Sequence, residues 1–285
     1  MMGGNASILV KGVSYNMGLQ NGYTDKIRQL RLSKSNSFMG IPLDEKFHNP
    51  KSLEEEAEGI SGISQKCDGM FKYAFSRFHE RGHFIWCLQE IPSIEKLKEY
   101  IGSLPYDIIV NDNKNCAIVY NTNEYKKYDG YMNKRFEDGN VKMESSYAYG
   151  LLEHILSGFI VQILSVKLCG YNLQHNKFQE CGQHDLESAL SIIDNEYPTI
   201  VAGDFNSPPN HGYPEYMLSE HQFMFQNNVL KTHYHGQLDH AYASKMTFRH
   251  QSSDMHQLLL IICLCSYDVI QTPSDHLPLF FSAIP

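Results

Sequence analysis

Val201-Ala202-Gly203-Asp204-Phe205-Asn206-Ser207-Pro208-Pro209 runs from an apolar, β-branched stretch into a cluster of turn formers. Residues two apart on an extended chain point the same way. Asp204 and Asn206 are therefore expected side by side at the end of a strand, with Phe205 turned inward. A carboxylate beside an amide can position a water or a metal and hydrogen-bond an anionic oxygen. The same residue types are also ordinary turn formers, so this stretch alone marks either a turn or a site.

Working outward, other apolar runs end in the same way. Trp86-Cys87-Leu88-Gln89 closes on Glu90, Tyr15 is followed by Asn16, and Asp239 opens Leu238-Asp239-His240-Ala241. Ser274-Asp275-His276 sits between Pro273 and Pro278, where a bend would let both Asp275 and His276 serve one site. Carboxylates at several strand ends, with an Asn and a His, suit a hard cation that prefers oxygen ligands and retained water. A zinc site from His211, His221, His233, His235 and His240 is the weaker reading, because no cysteine partners or H-E-x-x-H spacing accompany them.

The strands expected from run length and bounding polar clusters are 7–15, 84–89, 107–110, 116–120, 158–166, 199–202, 238–243, 258–270 and 279–283. Helical stretches are expected over 53–78, 93–101 and 183–195. In the last of these Leu186, Leu190 and Ile193 recur at helical spacing. Strands alternating with helices over the whole length predict a layered α/β protein. No linker divides it, so a single domain over 1–285 is expected. Segments 32–51 and 126–146, polar and rich in Gly and Asn, read as surface excursions.

Hydrophobic residues are 42% and charged residues 20% of the 285, an ordinary globular balance. The net charge of −8 offers no global field for holding duplex DNA, although a bound cation would change the local sign. Seven cysteines without a C-x-x-C pair read as free thiols, several packed in apolar runs. With no signal-peptide pattern at the start, this predicts a reducing, cytoplasmic location. The longest apolar run, 258–265, is too short to span a bilayer. Peripheral membrane contact stays open, and a monomer is expected.

These motifs, in this order and spacing, resemble the endonuclease/exonuclease/phosphatase superfamily across nearly the whole chain. The resemblance implies an α/β fold, a four-layer α/β/β/α sandwich with two mixed, mostly antiparallel sheets. It also implies a magnesium-dependent phosphoester hydrolase, manganese being a possible substitute. Glu90 and Asp275 are implied as metal ligands, with Asn16 near the metal and the phosphate. Asp204 would orient or deprotonate the attacking water, Asn206 and Asn16 would hold it and the phosphate, and His276, oriented by Asp239, would donate to the scissile phosphate. Many relatives carry His, and some Tyr, where this chain has Lys167; an ammonium can still donate to a phosphate oxygen but lacks the directed geometry of an imidazole.

The runs Asn115-Cys116-Ala117-Ile118-Val119-Tyr120 and Gly212-Tyr213-Pro214-Glu215-Tyr216-Met217-Leu218 resemble the deadenylase and nocturnin-like branch, and Leu88-Gln89-Glu90-Ile91-Pro92 also resembles the tyrosyl-DNA phosphodiesterases. The substrate expected on that basis is single-stranded nucleic acid, RNA from its 3′ end, with Lys26, Arg28, Arg31 and Lys34 as the densest basic stretch near the site. The alternatives are an inositol-phosphate or lipid head-group phosphatase and a catalytically degenerate binder of the same fold.

Overall fold

The structure is a computed structural model, and it describes residues 8–19, 37–38, 41–42, 51–111, 113, 115–128, 146–169, 171–172, 177–178, 180–207, 213–226, 238–248, 274, 276 and 278–285. The expected strand 258–270, the basic residues Lys26, Arg28, Arg31 and Lys34, Asp275, and His211, His233 and His235 lie outside them.

Among the described residues the strands are β1 (Val10–Asn16), β2 (Ser37–Phe38), β3 (Ile41–Pro42), β4 (Ile85–Gln89), β5 (Tyr106–Val110), β6 (Cys116–Asn121), β7 (Tyr125–Lys127), β8 (Tyr147–His154), β9 (Ile160–Lys167), β10 (Tyr171–Asn172), β11 (Lys177–Phe178), β12 (Thr199–Asp204), β13 (Met224–Phe225), β14 (Asp239–Ser244), β15 (Thr247–Phe248) and β16 (Leu279–Ile284). The helices are α1 (Leu53–Glu80), α2 (Ile94–Ile101), α3 (Glu180–Ser191) and α4 (Tyr213–Glu220). Two six-stranded sheets form, ordered β15-β16-β1-β4-β6-β5 and β13-β14-β12-β9-β8-β7. Each is antiparallel except for one parallel pair, β1 with β4 in the first and β9 with β12 in the second.

Side-chain alternation along the strands builds the layers. Val10, Ile85, Cys87 and Ile118 of the first sheet meet Ala148, Val161, Ile163, Ile200 and Ala202 of the second in a shared apolar interior. The opposite parity of the first sheet (Val13, Tyr15, Trp86, Leu88) packs against Phe71, Phe75 and Phe78 of α1 and Leu97 and Tyr100 of α2. Leu164, Val166, Val201 and Tyr242 of the second sheet are covered by Leu186, Ala189 and Leu190 of α3 and Leu218 of α4. The result is the α/β/β/α sandwich. Ser52 caps α1 by accepting from Glu55 N, and Ser93 caps α2 by accepting from Lys96 N. Gly102 ends α2 at φ +63°, a backbone that favours glycine.

Several boundaries differ from expectation. β1 starts at Val10 rather than Ser7, α1 runs on to Glu80, and α3 ends at Ser191, before Asn195. The segment 147–154, which no expected element covers, is a full strand buried on both faces, Ala148 and Leu152 inward and Tyr147, Tyr149 and Leu151 outward. The stretch 126–146, expected as an excursion, begins with the end of β7, and 32–51 contains the β2–β3 hairpin.

The expectation that all cysteines are free is corrected. Cys169, just past β9, and Cys181, in the first turn of α3, form a disulfide, their Cα atoms brought 5.9 Å apart by those two elements. This removes the cysteine argument for a reducing compartment. Cys67, Cys87 and Cys116 are free and buried, and burial pushes the Cys67 thiol up to about 12. Among the described residues no helix is long and apolar enough to cross a membrane.

Gly203 marks a close approach of β12 to β9. A Cβ built there would lie 1.9 Å from the carbonyl oxygen of Val166. Gly203→Ala must therefore push the two strands apart one residue before Asp204. It is expected to cost about 1–3 kcal/mol, as overpacking in a filled interior does, read as a lower midpoint in urea unfolding.

Candidate active site

The inward-facing parity that fills the interior with Ile200 and Ala202 carries on to Asp204, and that of Val161 and Ile163 carries on to Ser165 and Lys167. Strand register then sets these ends in a row. Asp204 pairs with Lys167 of β9 on one side and with Asp239 of β14 on the other. Facing the row from the other sheet are Asn16 at the end of β1 and Glu90 just past β4. The site thus lies where one end of the inter-sheet interior opens between the two sheets.

Asp204 is fully buried and is surrounded by donors. Its Oδ2 accepts from Asn16 Nδ2 at 2.9 Å, Lys167 Nζ at 3.0 Å and Asn206 Nδ2 at 3.2 Å, and its Oδ1 accepts from Asn206 N at 2.8 Å. Asp204 and Asn206 do come together, but through an Asx-type turn with Asn206 at φ +47° and not through strand alternation. Phe205 packs outward beneath the α3 and α4 layer. Asn206 Nδ2 also donates to Leu168 O, so the turn is tied back to β9.

Lys167 Nζ lies 2.7 Å from Glu90 Oε1 as well as 3.0 Å from Asp204. Asn16 Nδ2 donates to the same Glu90 oxygen at 3.2 Å, while its Oδ1 accepts from Gly18 N at 2.9 Å. Asn16 therefore shows the carboxylates its nitrogen, and its amide would have to turn over to offer an oxygen to a metal. Glu90 sits at φ +46°, a costly backbone for a residue with a side chain. The cost is borne where Leu19 N donates to Glu90 O and Met17 N to Gln89 O, which bind the two chain segments together.

His276 precedes β16. Its Nδ1 is 2.8 Å from Asp239 Oδ2, and its Nε2 is 3.9 Å from Asp204 Oδ2. Ser274 holds it there: His276 N donates to Ser274 Oγ at 3.1 Å, and that hydroxyl donates to Asn16 O at 2.6 Å. Beneath the site Gln89 Nε2 donates to Ser165 Oγ, which donates to Leu88 O, a buried link between the sheets. Ser274, Gly18, Ser165 and Gln89 escape sequence reasoning, since their roles come from contacts across 76 or more residues in three of these cases and from one local backbone turn in the fourth.

Burial works against ionisation of Asp204, but the charges of Lys167 and His276 outweigh it and hold its carboxyl below the usual range. Burial likewise opposes the Lys167 ammonium, and Asp204 and Glu90 more than offset it, so its pKa is raised. The Lys167–Asp204 pair is accordingly lost only as pH falls below the carboxylate range or rises above the lysine range.

Glu90, Asp204 and Asp239 supply carboxylate oxygens, and ligand atoms of Asp204, Asp239 and His276 all lie within 4.8 Å of one another. Such an oxygen-rich set fits a hard divalent cation. The zinc reading is not assembled among the described residues. His240 turns to the other face of β14, packing against Phe205 and Phe225 and directing Nε2 to Ser207 O at 2.6 Å. His221 lines a cavity with Leu190, Tyr197 and Lys245, at the far end of β12.

The Endonuclease/Exonuclease/phosphatase family profile matches residues 14–276. The chain belongs to that family of phosphoester hydrolases, whose enzymes generally use divalent metals. Its fold is similar to that of the human Nocturnin catalytic domain, at a TM-score of 0.55 and 16% identity over 97% of this chain and 94% of that one. It is similar also to ANGEL2, a 2′,3′-cyclic phosphatase, at 0.54 and 12% over 98% and 96%. A mannosyl-6-phosphatase of Bacteroides thetaiotaomicron follows the same fold at 0.55 and 14% over 96% and 98%. No curated protein matches the sequence at a significant level.

Burial holds His240 neutral, lowering it to about 4 from 6.5. The unfolded chain takes up that proton near 6.5 and the folded chain only near 4, so stability falls as pH drops through this window. The loss is at most about 3 kcal/mol, from 1.36 kcal/mol per unit. Urea midpoints measured from pH 7 to 4 are expected to fall less steeply in His240→Gln than in the parent.

Proposed function

We propose that residues 1–285 form one catalytic domain, a magnesium-dependent phosphodiesterase acting as a nuclease on single-stranded nucleic acid, with the 3′ end of RNA as the favoured substrate. The observation that carries the reading is the row Lys167–Asp204–Asp239 with His276 hydrogen-bonded to Asp239 and facing Asp204. It joins an acid, a water-orienting carboxylate and positive charge around one small volume, which is what in-line attack of water on phosphorus requires.

Glu90 and Asp275 would hold magnesium, which when bound would supply positive charge for the oxygens on which charge builds. Asp204 orients the attacking water, with Asn206 beside it. Its lowered pKa favours orientation over proton abstraction, because a carboxylate so well supplied with donors is a weak base. His276 donates from Nε2 to a phosphate oxygen, and Asp239 fixes the ring by accepting from Nδ1. Asn16 donates from Nδ2, and Lys167 adds an ammonium on the side of Glu90. Single-stranded RNA is favoured by the runs over 115–120 and 212–218 that resemble the deadenylase branch, and by a net charge ill suited to long duplexes.

An end-labelled single-stranded RNA with a 3′ adenosine tail tests this. Cleavage in magnesium should stop with a chelator, and Asp204→Asn and His276→Ala should each lower turnover by about 10²–10⁴-fold with unchanged circular dichroism. Near-normal turnover in either variant would overturn its assigned role. Absence of cleavage, with release of phosphate from inositol phosphates instead, would move the substrate to that class.

A further inference from the structure

Glu90 Oε1 and Asp204 Oδ2 are each contacted by the same two nitrogens, Lys167 Nζ and Asn16 Nδ2, at 2.7 to 3.2 Å. One ammonium thus already stands between the carboxylate proposed to hold the metal and the carboxylate proposed to orient the water. Asp204 is wholly buried and cannot exchange this partner for water. Glu90 and Lys167 keep 24% and 20% of their side-chain surface exposed, so the Glu90 contact is the one that can open.

We infer that Lys167 is a resident cation that competes with the divalent metal for Glu90 and, once displaced from it, becomes a donor to the substrate phosphate. The inference rests on the functional reading above, in which Glu90 ligates the metal. While Lys167 holds Oε1, that oxygen is shared with an ammonium and is a poorer ligand for a second cation, since like charges at such a distance repel. Released from Glu90, the flexible four-carbon stem carries a compact charge with donors to spare. An anion that takes up the freed ammonium therefore favours the metal-loaded arrangement, and metal and anion bind cooperatively, each raising the affinity for the other by one and the same factor.

The test is a Mn²⁺ titration of the full chain, following free Mn²⁺ by electron paramagnetic resonance, with and without sulfate as a phosphate mimic. Lys167→Met keeps the length of the side chain and removes the charge. It is expected to bind Mn²⁺ at least tenfold more tightly than the parent in the absence of sulfate, and Lys167→Arg is expected to stay close to the parent. Sulfate should tighten Mn²⁺ binding severalfold in the parent and leave Lys167→Met unchanged. Because removing the ammonium leaves two carboxylates facing one another, melting temperatures are measured in parallel. Lys167→Met should melt lower than the parent in chelator and show the larger rise with Mn²⁺.

Equal or weaker Mn²⁺ binding in Lys167→Met, with a melting rise no larger than the parent's, would sink the inference while metal-dependent cleavage by the parent left the functional reading in place. If neither protein bound Mn²⁺ and the parent cleaved nothing, both would fall.

Discussion

A carboxylate with no contact to water has to be met by donors, and Asp204 is met by four nitrogens from three residues. Strand β9 brings Lys167, strand β1 brings Asn16 from the other sheet, and the turn after β12 folds back to add both nitrogens of Asn206. Leaving a buried charge short of partners costs several kcal/mol. The two sheets can therefore close fully at this end only in the register that supplies these groups. The close approach at Gly203 belongs to the same constraint, because it is where β12 comes against β9 to put Asp204 beside Lys167.

From that point the rest of the site follows in layers. Below it the interior turns from charged to polar, with Ser165 and Gln89 linking the sheets, and then to apolar, with Cys87, Ile163 and Ala202. Above it Ser274 joins the last strand to the first through Asn16 O, which sets His276 against Asp239. Positive φ at Glu90 and Asn206 places two strained backbones on either side of the buried carboxylate. Strain of that kind persists where surrounding contacts over-determine it, and here backbone bonds from Leu19 and the Asx turn of Asp204 do so. The disulfide between Cys169 and Cys181 adds a covalent tie two residues past Lys167, on the segment whose Leu168 carbonyl holds Asn206.

Much of this was legible beforehand because each strand-end residue announces itself by bounding an apolar run. Asn16, Glu90 and Asp204 close such runs, Asp239 opens one instead, and the family's order of motifs ties them together. What escaped notice escaped for physical reasons. In a strand buried on both faces the period of two vanishes, so Tyr147–His154 shows no alternation to find. Strands of two or three residues, such as those of the β2–β3 hairpin, are too short to carry a pattern. A helix opening on Tyr213-Pro214 follows the rule that proline suits a first turn, yet no expected helix covers 213–220.

By itself, then, the sequence determined which chemical groups this protein places at its strand ends, because period-two alternation and turn residues are local properties of the chain. It determined also the layered α/β class, through the succession of apolar runs and amphipathic helices. Only the tertiary structure decided which of those groups meet. The pairing of Lys167 with both Glu90 and Asp204, the turning of Asn16's nitrogen toward the carboxylates, and the closure of Cys169 on Cys181 all depend on strand register and on the facing of two sheets. Those are set by the packing of the whole interior, across separations of up to 258 residues, and no local window of sequence contains them.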